Sequence, residues 1–424
     1  MAEPARARTL ERSDALRWLS PAPGRYSRSG VAVRLNAVLP LNTALGRGPL
    51  LPRRPFPLDL PGVDLTFSGT VAVYQAFRAL GMPAGSVVLC PSYNCGHEIE
   101  PLMRLGFQIQ CYRVTAELGA DLEDIERRMG PAVKALLVTH FFGFGDRLEE
   151  LRALCDRRGV FLVEDCAHAL LSDNASGNLG RVGDAAVFSV RKTLPLPNGG
   201  AVIFNNPSLS LNQALESPPR LTTWLKACDL TRKAAADRLA REPSGRTLLP
   251  FAALAPLVVG NELLARLHPA ATTACYDPDD DAFDFDQRIM SWGISAFSLR
   301  MLDRVQWSGV AQRRLDNYRY LASALGGIDG CEVMRPEVPD HTCPLFLPVL
   351  VSRRREVFRH LVQHRIHPAI WWDQKHPAVS WEEFPEAIVL KDRVLALPVH
   401  QDIDASQLDY LIDTLRHCPA LGPR

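Results

Sequence analysis

Residues 161–200 hold an acid pair and an isolated lysine in a setting that could do chemistry. An apolar run, 161–163, lands on Glu164 and Asp165. A second run, 185–188, leads through Ser189 to Lys192, with the pair Gly199-Gly200 behind it. No other lysine stands between Lys134 and Lys226. An acid at the end of one buried strand and a flexible amine just past another are what a pyridoxal phosphate enzyme needs. The acid holds the pyridine nitrogen protonated, and the lysine forms a Schiff base with the cofactor aldehyde.

The elements that must position these groups are legible on both sides of them. Ser68-Gly69-Thr70 precede apolar residues at Val73, Ala76, Phe77 and Leu80, a helical spacing that Gly81 can stop. Ser68 and Thr70 can cap that helix, whose free N–H groups and positive dipole end suit a phosphate. Short apolar runs at 87–90, 107–112, 135–139, 160–164, 185–189 and 201–204 read as strands. Helical patterns at 95–105, 122–129 and 146–158 lie between them. Strands spaced by amphipathic helices predict a mostly parallel sheet covered on both faces, with ligands at the carboxyl ends of its strands.

The order Glu164-Asp165-Cys166-Ala167-His168, then Gly183-Asp184-Ala185-Ala186-Val187-Phe188-Ser189, then Lys192 and Gly199-Gly200 resembles a known family. It is that of the DegT/DnrJ/EryC1/StrS sugar aminotransferases, and the likeness extends with gaps from about Leu65 to the C-terminus. The resemblance implies an aspartate-aminotransferase-type α/β fold (fold type I). Residues 1–64 would form an arm and lead-in, 65–295 a cofactor-binding large domain with a helical insertion at about 208–290, and 296–424 a smaller α+β domain. It further implies a pyridoxal 5′-phosphate aminotransferase, working as a homodimer with its sites near the subunit boundary. The amino donor would be glutamate and the acceptor, by family default, a keto-sugar nucleotide. Ser68, Gly69, Thr70 and Ser189 would hold the phosphate, His168 would lie near the phenolic oxygen, and Lys192 would move the proton.

Three places depart from the family pattern. The aromatic residue that stacks on the pyridine ring is replaced by Cys95, so the ring faces Cys95 itself, His97 or Tyr93. Ser189 and Lys192 are separated only by Val190 and Arg191, which brings Arg191 close enough to take a substrate carboxylate or phosphate. The family's asparagine for the partner's phosphate is missing from residues 292–298, where Ser295 or Ser298 could substitute. These departures keep a second reading open, a pyridoxal phosphate enzyme of another reaction type such as elimination, decarboxylation or carbon–carbon bond formation. A third reading, a non-catalytic relative, is disfavoured because both Lys192 and Asp165 are retained.

The rest of the chain narrows the field. With 48 basic and 47 acidic residues among 424, it has no electrostatic footprint for nucleic acid or a membrane surface. Ten cysteines without a CxxC pair, several in apolar runs, and no apolar leader at the N-terminus suggest a reduced, cytoplasmic protein. Residues 248–267 are strongly apolar, but Pro250, Pro256, Glu262 and Arg266 argue against a membrane span and for a covered helix pair, an oligomer contact or a lid. The acidic stretch 277–286 reads as a solvated loop. His140 reads as structural, and no histidine pair has the company of a metal site, so no metal is expected. Residues 367–377, HPAIWWDQKHP, could line a substrate pocket. Residues 297–321 read as one long helix leading to strand candidates at 331–334 and 345–351.

Overall fold

A computed structural model describes residues 32–37, 53–145, 147–174, 177, 179–241 and 286–422. Seven strands form one sheet in the order β1-β7-β6-β5-β4-β2-β3. Its parallel body is β2 (Val87–Pro91), β3 (Gln108–Tyr112), β4 (Val133–Thr139), β5 (Phe161–Asp165) and β6 (Ala185–Phe188). At one edge β7 (Gly200–Phe204) pairs antiparallel with β6, and β1 (Asp64–Thr66) antiparallel with β7. The central strands are near-continuous apolar runs because helices cover both of their faces. Along β4, Ala135 and Leu137 join the cluster under helix α1 (Gly69–Ala79), whereas Leu136 and Val138 join the main core on the other side.

Helices α2 (Ile99–Arg104), α3 (Leu122–Arg128) and α4 (Leu148–Arg158) connect the strands. Helix α4 stops at Gly159, whose φ of 64° is the left-handed cap that glycine tolerates best. The short α5 (Val190–Thr193) carries Lys192, and α6 (Arg220–Arg241) belongs to the expected insertion. That helix begins twelve residues later than the pattern from 208 suggested, immediately after Pro218-Pro219. Residues 248–267 and 277–285 lie outside the described residues, as does most of the lead-in.

A second sheet, β10-β11-β9-β8, is wholly antiparallel and forms the C-terminal α+β portion. Its strands are β8 (Cys331–Val333), β9 (Phe346–Val351), β10 (Ala369–Ile370) and β11 (Val394–Pro398). Around it pack α8 (Val310–Leu325), α9 (Arg354–Gln363), α10 (Pro385–Arg393) and α11 (Ala405–Arg416). The helix expected over 297–321 is two: α7 (Ala296–Leu302) and α8, parted by turns that end on Gly309 at φ 87°. The main core runs without a break from the large sheet into this portion, and Leu345 N–H donates to Phe142 O across the join at 2.9 Å.

Candidate active site

A cleft opens at the carboxyl ends of β5 and β6, where β5 ends on Asp165 and β6 runs into Ser189 and Lys192. One end of it is the N-terminus of α1. Ser68 caps that helix, its Oγ accepting from Val71 N–H at 3.3 Å, and Ala72 N–H reaches Ser68 O at 3.0 Å. The remaining first-turn donors, Gly69 and Thr70 N–H, have no carbonyl within the helix to reach, and both residues line the cleft. Ser189 closes this end from β6. A Cβ on Gly69 would lie 3.2 Å from Ser189 Cβ, so the small residue is what lets the two segments approach. The glycine pair has a similar cause: a Cβ on Gly200 would meet the Ser68 carbonyl at 2.4 Å. Together these groups form a cradle of N–H and hydroxyl donors at the positive end of a helix dipole.

Deeper in the cleft stand Asp165 and Lys192. Asp165 is 7% exposed and accepts from Ala167 N–H at 2.8 Å, which fixes its carboxylate. Burial, helped by the nearby Glu98 charge and opposed by Lys192, pushes its pKa up to about 6. Lys192 is half-buried, and its desolvation lowers its pKa although Cys95, Asp165 and Glu98 pull the other way. An amine with a weakened hold on its proton is suited to nucleophilic attack and to proton transfer.

The wall facing them comes from the loop after β2. Cys95 and His97 line the cleft, and so does Glu98, which is 6% exposed. Glu98 accepts from Cys95 N–H at 3.1 Å and from its thiol at 2.6 Å, so the thiol is held by a carboxylate rather than packed among apolar groups. Burial and the Glu98 charge raise the Cys95 pKa, and burial lowers that of His97 to about 4. The sequence gives no sign of Glu98, because 95–105 reads as one helix. Gly96, at φ 81°, ends that pattern, and the helix starts only at Ile99. Tyr93 takes no part in the wall. It is fully buried, and its hydroxyl donates to Trp371 O at 2.7 Å.

The opposite wall is Trp371 and Trp372, from the aromatic stretch singled out in the sequence. Lys192 Nζ lies 5.3 Å from the Trp371 ring centroid. Lys391, on α10, reaches across to donate to Asn94 O, Trp372 O and Gln374 O at 2.8, 3.0 and 2.6 Å. One buried ammonium thus ties the Cys95 loop to the indole segment. His168 is drawn away from the cleft surface. It is 2% exposed, its Nδ1 accepts from Phe142 N–H at 3.3 Å, and its ring packs against both indoles with centroids 4.9 and 5.4 Å away. The structure therefore gathers Ser68, Gly69, Thr70, Cys95, Asp165, Ser189 and Lys192 in one cleft, with His168 one layer behind.

Several motif residues serve to hold this arrangement. Glu164, on the other face of β5 from Asp165, accepts from Gly180, Val182 and Gly183 N–H and shares a 3.0 Å hydrogen bond with His140 Nε2. His140 is structural, as its position suggested. Among the described residues His140, Glu164 and Cys166 lie close enough to share an ion, but the Glu164 oxygens are already engaged by those four donors. Asp184 accepts from Leu162 N–H and Arg152. Asn198 accepts from Ser295 N–H and donates to Thr223 Oγ1 on α6, tying the insertion to the loop behind Lys192. Ser295 Oγ donates to Ser298 Oγ and accepts from Ser298 N–H as the cap of α7, and both side chains are buried.

The family model described as the DegT/DnrJ/EryC1/StrS aminotransferase family matches residues 65–215. GDP-perosamine synthase of Vibrio cholerae is 31% identical over 142 residues, 33% of this chain and 39% of that protein. L-glutamine:2-deoxy-scyllo-inosose aminotransferase of Streptoalloteichus tenebrarius is 30% identical over 146 residues, 34% of each. The chain thus spans well under half the length of the curated relatives it matches. Solved structures extend the likeness of fold to most of the chain. DesV of S. venezuelae, solved in complex with a ketimine intermediate, covers 84% of both chains at 20% identity with a TM-score of 0.56. The putative sugar aminotransferase Spr1654 of Streptococcus pneumoniae, in its PMP-form, covers 91% of this chain and 97% of its own at 15% identity and a TM-score of 0.61.

Proposed function

We propose that this chain, which over residues 65–215 belongs to the DegT/DnrJ/EryC1/StrS aminotransferase family, is a pyridoxal phosphate-dependent aminotransferase acting on a keto-sugar. The observation that carries the reading is the convergence of Lys192, Asp165 and the Ser68-Gly69-Thr70 and Ser189 cradle on one cleft. The donor set fits the cofactor at each end: N–H and hydroxyl donors for a phosphate, a fixed carboxylate for a protonated ring nitrogen, and an amine for an aldehyde. Bound there, pyridoxal phosphate supplies that aldehyde and a ring that withdraws electrons from the carbon bearing the substrate nitrogen.

The chain's own residues do the remainder. Ser68, Gly69, Thr70 and Ser189 anchor the phosphate and so set the ring's position along the cleft. Asp165, oriented by Ala167 N–H, offers its carboxylate to the ring nitrogen and holds a proton there. Lys192 Nζ takes a proton from the substrate carbon and returns one during each half of the exchange, and burial favours its neutral, proton-accepting form. Arg191 lines the cleft beside Lys192, where its guanidinium suits a donor carboxylate or an acceptor phosphate. The walls of Cys95, His97, Trp371 and Trp372 limit water around the reacting carbon.

Glutamate is the proposed amino donor and a keto-sugar nucleotide the acceptor, with a homodimer in the cytoplasm as the working form. Among the described residues no helix is long and apolar enough to cross a membrane. A pyridoxal phosphate enzyme of another reaction type is the second reading, favoured by Glu98, a further carboxylate in the cleft that amino transfer does not require. Half-reactions separate the two. The purified, cofactor-loaded protein mixed with L-glutamate alone should convert its cofactor to the amine form and release 2-oxoglutarate stoichiometrically. Release of ammonia or carbon dioxide from an amino acid, with no accumulation of the amine form, would contradict amino transfer.

A further inference from the structure

We propose that the indole N–H of Trp371 donates a hydrogen bond to the phenolic oxygen of pyridoxal phosphate held on Lys192. A tryptophan of the C-terminal portion would then take the contact that the sequence assigns to His168. The inference rests on the cofactor reading above.

Three observations carry it. First, Trp371 lines the cleft at 5% exposure, yet its Nε1 is a buried donor without a hydrogen-bond partner among the described groups. Such groups are rare in folded proteins, and a bound ligand is one of the reasons they persist. Secondly, Lys192 Nζ stands 5.3 Å from the centroid of this indole. An atom joined to Nζ begins about 1.5 Å from it, so a cofactor carbon carried there would lie roughly 4 to 7 Å from the indole centroid. In pyridoxal phosphate the phenolic hydroxyl sits on the ring carbon next to the one bearing the aldehyde. Of all the cofactor's oxygens it is therefore the one bound closest to Nζ. Thirdly, one ring nitrogen of His168 is already engaged. Its Nδ1 is occupied by Phe142 N–H, and its ring packs behind both indoles rather than on the cleft surface.

The donor is also held in place. Trp371 O accepts from Tyr93 Oη–H, and the indole is wedged against Phe346 and Trp372 at centroid distances of 5.3 and 5.1 Å. Packing of this kind limits the rotamers open to the ring, so the N–H is preorganised rather than recruited.

The test is a two-by-two comparison on full-length, cofactor-free protein. Wild type and Trp371→Phe are each titrated with pyridoxal 5′-phosphate and with 3-deoxypyridoxal 5′-phosphate, which lacks the phenolic oxygen. Trp371→Phe should bind pyridoxal phosphate about tenfold more weakly, the low end for a lost hydrogen bond to a charged oxygen, and should displace the absorbance maximum of the bound cofactor. With the 3-deoxy analogue the two proteins should bind within about twofold of each other, because the interaction is already gone. Trp371→His, which keeps a ring N–H, should recover part of the affinity and serves if the phenyl variant folds poorly. Equal losses with both ligands would overturn the proposal, since the indole would then act by packing alone. An unchanged affinity and spectrum in Trp371→Phe, with a displaced spectrum in His168→Asn, would return the contact to His168. If wild type takes up no cofactor on Lys192, the cofactor reading itself has failed, and this inference falls with it.

Discussion

The two sides of the cleft are built by different physics. The Asp165–Lys192 side is made of strand ends and one helix N-terminus, so each group sits where its own element stops. The indole side belongs to an irregular segment held by backbone acceptors, with Tyr93 donating to Trp371 O and Lys391 donating to Trp372 O and Gln374 O. The first side gains precision from the sheet and keeps it when a side chain is cut back. The second depends on a few long-range hydrogen bonds, and a single lost donor can loosen it. Chemistry should therefore be most sensitive to substitution on the strand-end side, and conformational stability to substitution on the indole side.

Lys192→Ala carries the largest expected effect. Without the proton carrier, the rate of the glutamate half-reaction should fall roughly ten-thousandfold, at the upper end for a positioned acid–base group. The stability of the cofactor-free chain should change little or rise, since a partly desolvated amine is removed. A collapse of folding would undo the proposed contrast between the two sides.

Asp165→Asn should slow the same half-reaction about a hundredfold while stabilising the protein without its cofactor. The sign follows from burial, which lifts the Asp165 pKa from its ordinary 3.8 to about 6. Between those values the folded chain holds a proton that the unfolded chain has released, so stability falls as pH rises through about 4 to 6. Above pH 6 the cost approaches about 3 kcal/mol, and the amide escapes it. Urea unfolding at pH 5 and pH 8 should find the variant's advantage growing with pH. A variant less stable than wild type at pH 8 would mean that the carboxylate has a partner that offsets its burial.

On the indole side, Lys391→Met keeps the bulk but leaves Asn94 O, Trp372 O and Gln374 O without their donor. It should lose about 3 kcal/mol of stability, with a weaker grip on cofactor as the Cys95 loop and the indoles drift apart. Stability within experimental error of wild type would show that the ammonium is no staple. The smallest effect belongs to Glu98→Gln. Removing a negative neighbour should move the pH-dependent fall in stability to lower pH, since Glu98 is the second-largest cause raising Asp165. An unchanged pH profile would remove Glu98 from the electrostatics of the site.

The same contrast explains what could be read from the sequence. Asp165, Ser189 and Lys192 were legible because apolar runs point at them, and the Ser68–Thr70 cap because helical spacing follows it. The parallel body of the sheet followed from the same alternation. Glu98 was hidden, since nothing local distinguishes a buried acid at the start of a helix from a solvated one inside it. The break between α7 and α8 is invisible in the sequence because the apolar pattern runs on across 303–309 and only Gly309 marks the stop. Trp371 and Trp372 stood out as an aromatic cluster, but their contact with Lys192 and His168 depends on how the C-terminal sheet docks, which no local pattern encodes. His168 has the spacing of a cofactor contact, and the packing of its ring against both indoles depends on that same docking.

The most direct measurement of the central claim is borohydride reduction of the cofactor-loaded wild-type protein, followed by peptide mass mapping. The account predicts a single pyridoxyl label, on Lys192. A label on another lysine, or none at all, would contradict it.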